Sequence, residues 1–295
     1  MGAGLPRRQS PVQTAFLLRS GHSAHQVERS RTLPDGDAFF GGDSVSILRD
    51  MTAIPPGIRS DLAPGGMLRA GINYGNFILA TRDPASGESR GVAVDLTHEL
   101  ARRLGVAVEL VAYDSVATMV DAAKTGAWDI AFLGIDPARA ADIGFTAAYL
   151  EIDATYLVPA GSPLSGAADV DAPGVRVAAP ARANYELYLG RNLQRARLVR
   201  AHTADAAFAL LAAGEVEALA GLRQALIGLA PNLPGSRLLD GRFMAVQQAL
   251  GMPRGRDAGL AYLRGFVEEA KASGLVARAL ERIGAQGVSV AAKAR

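Results

Sequence analysis

Apolar and polar positions recur along most of the chain at two periods, one close to two residues and one close to three and a half. Residues 67–72 form an apolar run broken only by Arg69, which reads as a strand. It ends in the polar, glycine-bearing loop Asn73, Tyr74, Gly75, Asn76, Phe77. After a turn-rich stretch at 83–91, Leu96, Leu100 and Leu104 recur at helical spacing and Gly105 supplies a stop, so a helix is predicted from about Val92 to Leu104. Residues 106–112 give a second strand, followed by a helix that Ser115 can cap and Gly126 can close. A third strand, the apolar run 129–133, ends abruptly at Gly134. Strands alternating with helices in this way call for right-handed crossovers and a largely parallel sheet.

The alternation then breaks. Residues 149–158 read as one long extended segment leading to Pro159, Gly161 and Pro163, punctuation typical of a crossing between domains. A second α/β set follows, with strands at 174–179 and 216–220, a loop at 180–185 feeding a helix, and Thr203 as the cap of a helix that runs to Gly214. Residues 243–250 are strand-like again, and 259–283 read as two helices divided near Ser273 and Gly274. The first 55 residues differ from all of this. Arg7, Arg8, Arg19, Arg29 and Arg31 mix with Ser, Gly, Pro and His, and the longest apolar run, 15–18, is far shorter than the core of an export signal. Residues 1–55 are therefore expected to form a disordered leader, with Met51 as an alternative start.

Composition narrows the classes of function. A chain of 295 residues, 49% hydrophobic and 20% charged, is long enough for two domains with real cores. The net charge is only +2, and the arginines are scattered instead of gathered in basic runs, so no nucleic-acid partner is implied. A local anion-seeking cleft stays compatible with that balance. The absence of cysteine excludes a thiolate nucleophile, a disulfide framework and a zinc knuckle. No apolar run approaches the length needed to cross a bilayer. His22 and His25 lie three apart but lack a second ligand pair, so no metal site is expected. His98 and Glu99 are adjacent on the predicted helix and face different ways, which makes them poor catalytic partners.

The stretch 128–149 carries the most chemistry. The third strand passes at Gly134 into Asp136, Pro137 and Arg139, which read as a strand end joined to a helix start bearing a cation. Open α/β sheets bind ligands at such junctions. Gly134 lets another group approach the backbone, free N–H groups near Asp136 favour an anion, and Arg139 offers a planar fork that matches a carboxylate. The alternative is a surface connection with a solvated Arg, and the residues alone do not separate the two. The loop after the first strand is a second candidate wall, where Tyr74 and Phe77 could sandwich an apolar group while Asn73 and Asn76 hydrogen-bond to it. Core packing of either ring competes with that reading. Tyr149 is likewise open between ligand contact and packing.

Five runs taken in order, GGMLRAGI, GVAVDLTHELARRLGV, AWDIAFLGIDPARAADIGFTAAYL, GVRVAAPARANYELYL and ASGLVARALERIG, resemble the family 3 extracellular solute-binding proteins, the amino-acid-type receptors of ABC importers. The resemblance implies an α/β, two-lobed fold of the type II periplasmic-binding-protein kind, in which mostly parallel sheets flanked by helices are joined by two hinge strands. Lobe 1 would comprise residues 66–157 and 244–295, and lobe 2 residues 158–243. In such receptors a Ser or Gly, a Thr and an Arg grip the ligand carboxylate, and the matching positions here are Gly134, Asp136 and Arg139. A Gly-Thr pair of the second lobe corresponds to Arg182 and Ala183, followed by Asn184 and Tyr185. The acidic residue that holds a ligand ammonium is replaced by Leu222, followed by Arg223. Asp95 matches an Asp expected to serve as a structural cap or hydrogen-bond acceptor.

These departures, which remove a carboxylate and add cations, lead to the expectation of a receptor for a small organic anion bearing a carboxylate. It would act as a monomer without cofactor or metal, beside the permease of an ABC transporter. The resemblance points to the periplasm, whereas no signal peptide is visible and the cytoplasm stays open. An enzyme resembling the cyclohexadienyl dehydratases, with Asp136 or Glu151 as the acid, is the alternative. The effector domain of a gene regulator is disfavoured because residues 1–60 lack the periodicity of a helix-turn-helix. If 1–55 is only a leader, a chain beginning at Met51 keeps the melting temperature and the binding of the full chain. A loss of several degrees would show instead that the leader packs on a lobe.

Overall fold

The computed structural model describes residues 27–29, as backbone alone, together with 54–284 and 286–294. Of the expected leader, only β1 (Val27–Arg29), which pairs antiparallel with the edge of a sheet, and residues 54–55 lie among the described residues. His22, His25 and Met51 also lie outside them.

Lobe 1 begins with α1 (Pro56–Leu62) and β2 (Met67–Asn73). A two-stranded ribbon, β3 (Thr81–Arg82) with β4 (Ser89–Arg90), leads to α2 (Val92–Leu104). The stop at Gly105 is real: its φ of 65° is left-handed, and its N–H reaches back to the carbonyls of Ala101 and Arg102. Next come β5 (Ala107–Tyr113) and α3 (Val116–Asp121), whose first turn is capped by the Ser115 hydroxyl accepting from the Thr118 N–H at 3.2 Å. Strand β6 (Ile130–Gly134) is buried at every position. It is followed by turns, not by the expected helix. The Asp136 carboxylate accepts from the Ala138 N–H at 2.9 Å, and the Ile143 N–H bonds to the Arg139 carbonyl at 3.0 Å. This closes the chain back into a strand after a few residues. Strand β7 (Ile143–Val158) therefore starts six residues before the extended segment expected from Tyr149.

The second lobe contains β8 (Arg176–Pro180), α4 (Asn184–Asn192), β9 (Arg197–Ala201), α5 (Ala204–Ala212), β10 (Ala218–Leu222), α6 (Arg223–Leu229) and β11 (Arg237–Leu238). The Thr203 hydroxyl caps α5 by accepting from the Ala206 N–H at 3.1 Å. The chain returns through β12 (Met244–Pro253) to α7 (Asp257–Ala272), α8 (Leu275–Ile283) and β13 (Val288–Val290). Hydrogen bonding links eleven of the described strands into one sheet, nine of them in the order β1-β5-β2-β6-β12-β7-β10-β8-β9, with β11 and β13 paired to β7 off that path. Strands β5, β2 and β6 are parallel in one lobe, and β10, β8 and β9 in the other. Strands β7 and β12 run antiparallel between them. These two are the hinge strands of a two-lobed α/β fold. Along β7, Tyr149 to Ala154 contribute to the core of the first lobe, whereas Tyr156 to Val158 pack into cores of the second.

One buried charge pins the first lobe together. Asp129 is fully buried, and its carboxylate accepts from the Arg69 guanidinium at 2.7 and 2.9 Å, from the Arg69 N–H at 3.1 Å and from Arg256 at 2.9 Å. Arg256 also donates to the Asp61 carbonyl at 3.0 Å. The network thus joins β2, the start of β6, α1 and the lead-in to α7. Both guanidinium groups keep some water, so Asp129→Ala should cost about 3 kcal/mol, the low end for a broken buried pair. A urea midpoint unchanged within error would remove Asp129 from the role of anchor.

Candidate functional site

In parallel sheets, ligands bind beyond the carboxyl ends of the strands, and here six such ends point into one space. The loops after β2, β5 and β6 face those after β8, β9 and β10 across a cavity of about 220 Å3. From the first lobe its wall takes Asn73, Asn76, Asp114, Ser115, Phe132 and Gly134; from the second, Ala183, Asn184, Tyr185, His202, Thr203 and Leu222. Hinge strand β12 supplies the remaining wall with Val246 and Gln248. Seven residues expected from the sequence are on this wall: Asn73, Asn76, Gly134, Ala183, Asn184, Tyr185 and Leu222.

The aromatic sandwich does not form. The Tyr74 hydroxyl pairs with that of Ser89 at 2.6 Å while its ring packs on the first-lobe core, and Phe77 is 38% exposed and off the cavity wall. Tyr149 resolves in favour of packing. It is fully buried edge-on to Phe132, with ring centroids 6.0 Å apart, and burial pushes its phenol well above the ordinary value. Asp95 serves as an acceptor for Arg282 of α8 at 2.5 Å and caps nothing.

The cations also depart from expectation, because each is committed to protein acceptors and none lies on the cavity wall. Arg139 is only 4% exposed. It donates to the Gly134 carbonyl at 2.8 Å, the Asn184 carboxamide oxygen at 2.6 Å and the Arg182 carbonyl at 2.9 Å. Burial lowers its pKa to about 10, against the pull of Asp136, so it stays charged at neutral pH. Arg182 pairs with Asp121 at 2.7 and 2.8 Å, and its N–H donates to Glu186 at 2.8 Å. Its φ of 65° is left-handed, a conformation costing a non-glycine residue of order 1 kcal/mol. A glycine at this position would adopt the same conformation without that cost. Arg223 donates to the Gly241 carbonyl and stands 3.8 Å from Asp153, turned toward the hinge. Asp136 is spent on Arg191 of α4 at 2.8 Å.

Four of these contacts cross between the lobes: Arg139 to Asn184, Arg182 to Asp121, Arg191 to Asp136, and Arg139 to the Arg182 carbonyl. The second is largely exposed and contributes little. The first is buried and bidirectional, since the Asn184 amide also donates to the Ile135 carbonyl at 3.0 Å. It depends on Gly134, where a Cβ would collide with the Asn184 carboxamide. The glycine thus admits a side chain of the opposite lobe, where the sequence suggested a ligand.

Asp114, His202 and Gln248 were missed by sequence reasoning. Asp114 and His202 could have been found by treating every parallel strand end alike, since they follow β5 and β9 directly. The signal for Gln248 was a Gln-Gln pair inside an apolar strand. The Asp114 carboxylate has no hydrogen-bond or ion-pair partner among the described residues.

Residues 68–286 match the model of the bacterial extracellular solute-binding proteins, family 3. The chain belongs to that family, and it is a solute-binding protein. Solved structures agree on the fold. An ancestral amino acid-binding protein, described as a precursor of cyclohexadienyl dehydratase, is 21% identical with a TM-score of 0.62, covering 76% of this chain and 97% of that one. The solute receptor for L-cysteine of Neisseria gonorrhoeae is 20% identical with a TM-score of 0.64, covering 77% and 92%. An amino acid ABC transporter substrate-binding protein from Streptococcus pneumoniae, bound to L-arginine, is 20% identical with a TM-score of 0.63, covering 75% and 95%. No curated protein matches the sequence.

If the Gly134 contact sets the approach of the lobes, Gly134→Ala should lower the melting temperature by several degrees. The loss should be smaller in an Asn184→Ala background, where the opposing carboxamide is gone. Equal losses in the two backgrounds, read from a double-mutant cycle, would show that the two residues do not meet.

Proposed function

We propose that this solute-binding protein captures a small amino-acid-type solute between its lobes and presents it to the permease of an ABC transporter outside the cytoplasm. The observation that carries the proposal is the cavity itself, closed by loops of both lobes and by hinge strand β12. One chain supplies every wall, so a monomer suffices. Family membership supports the transport role, as do structural neighbours named as parts of amino acid ABC transporters.

The class of solute follows from the wall. A purely anionic ligand was expected from Arg139, Arg182 and Arg223, yet those guanidinium groups are engaged by Asn184, Asp121 and Gly241. The cavity wall takes in several carboxamides together with Asp114, an exposed residue whose carboxylate has no partner among the described residues. Burying an ammonium requires a compensating partner, and Asp114 is a candidate for that partner where Leu222 offers none. Neighbours named as complexes with lysine and L-arginine, and as a receptor for L-cysteine, favour an amine-bearing solute as well. The dehydratase alternative loses its acids, because Asp136 is paired with Arg191 and neither it nor Glu151 is on the wall. No turnover of prephenate or arogenate is therefore expected.

A thermal-shift screen of L-amino acids against matched organic acids tests the reading. A ligand at a hundredfold its Kd adds about 2.7 kcal/mol, which raises the melting temperature of a chain this size by roughly 5 °C or more. Stabilisation by an amino acid, with none from its deaminated analogue, is the expected result. Stabilisation by the acids alone would restore the anion, and mass spectrometry of solutes released from the purified protein would then name it.

A further inference from the structure

Gln248 is only 4% exposed, lies on the cavity wall, and makes no side-chain hydrogen bond to any described residue. Its Oε1 is fully buried and unpartnered. Such a group is unfavourable in a resting protein, because the carbonyl half of the carboxamide has lost water without replacement. Its placement is nevertheless well defined. Val246 and Gln248 alternate onto one face of β12 and both line the cavity. The Cα partners of Gln248 are Gly134 on one side and Leu150 on the other. Immediately after it the register with β7 shifts, because Tyr149 is left opposite no residue of β12. Bulges of this kind turn side chains toward functional sites.

We infer that Gln248 is a specificity-determining residue of the cavity and selects solutes that carry an N–H donor and a carbonyl acceptor side by side, as in a carboxamide or ureido group. The inference rests on the receptor reading and deepens it. A carboxamide facing another carboxamide satisfies one donor and one acceptor on each at once, and it does so without charge. The wall around Gln248 suits a neutral group, since Phe132, Leu133, Val246 and Leu222 are apolar and no arginine of the described residues is on the wall. A site with an open hydrogen-bonding group discriminates strongly against an analogue of equal shape that cannot bond to it.

Two measurements test the inference, with L-glutamine and L-asparagine as probes and L-methionine and L-leucine as apolar partners of similar size. The wild-type protein should bind the amide-bearing member of at least one pair more than tenfold tighter by calorimetry, a comparison that needs no variant. Gln248→Met should erase that preference, and it should raise the melting temperature of the unliganded protein because an unbonded carboxamide is replaced by an apolar chain of similar length. A merely structural Gln248 would give the opposite sign, a lower melting temperature. The inference is overturned if both members of each pair bind equally, if the preference survives Gln248→Met, or if other amino acids bind while these four do not. In each of those cases the receptor reading stands. Should no solute of the wider screen bind, the receptor reading falls and Gln248 with it.

Discussion

A guanidinium withdrawn from water has to place its protons on acceptors, and Arg139 finds them on segments far apart in sequence: its own strand end at Gly134, and the Arg182 carbonyl and Asn184 carboxamide of the other lobe. This requirement orders much of what surrounds it. Residue 134 must lack a side chain so that Asn184 can come close, residue 182 must turn left-handed so that its carbonyl points inward, and α4 must begin at Asn184. Each of these features would be unremarkable alone. Together they hold two lobes in one geometry around a largely apolar cavity with a few polar groups on its wall.

That geometry changes what the cavity asks of a solute. A free arginine can be completed by a carboxylate on a ligand; here a carboxamide of the protein has taken that place on Arg139, and the proposed reading assigns recognition to the wall residues instead. The wall residues are mostly neutral: Asp114, itself exposed to solvent, is the one carboxylate among them, and Gln248 is a buried amide whose oxygen lacks a partner. Under the proposed reading, hydrogen-bond matching selects the solute more than net charge does.

Much of the scaffold is legible in the residues because it is written locally. Gly105, Ser115 and Thr203 end or start helices through bonds to backbone groups no more than four positions away, and the periodic leucines of α2 face one core. The turn after β6 was misread as a helix because Asp136 and Pro137 are equally at home in either, and only the return of the chain into β7 decides between them. The cavity was half legible. Strand ends named its rim, whereas the fate of each arginine depended on acceptors dozens of residues distant that no spacing reveals. In the sequence Asn184 is only a near neighbour of Arg182, and nothing there shows that it answers Arg139. The open state of Gln248 is invisible in sequence for the same reason, since a lack of partners is a property of space.

The interleaving of the lobes along the chain has a consequence for synthesis. The cores of the second lobe draw on residues from Tyr156 to Leu239, an uninterrupted stretch that can fold once it has left the ribosome. The core of the first lobe needs Leu263, Phe266, Val267 and Val276, which emerge later. At ribosomal rates of about 5–20 residues per second, its apolar sheet face waits a few seconds for those helices while its neighbour is already complete. The nascent first lobe, not the second, is where a chaperone would find something to hold.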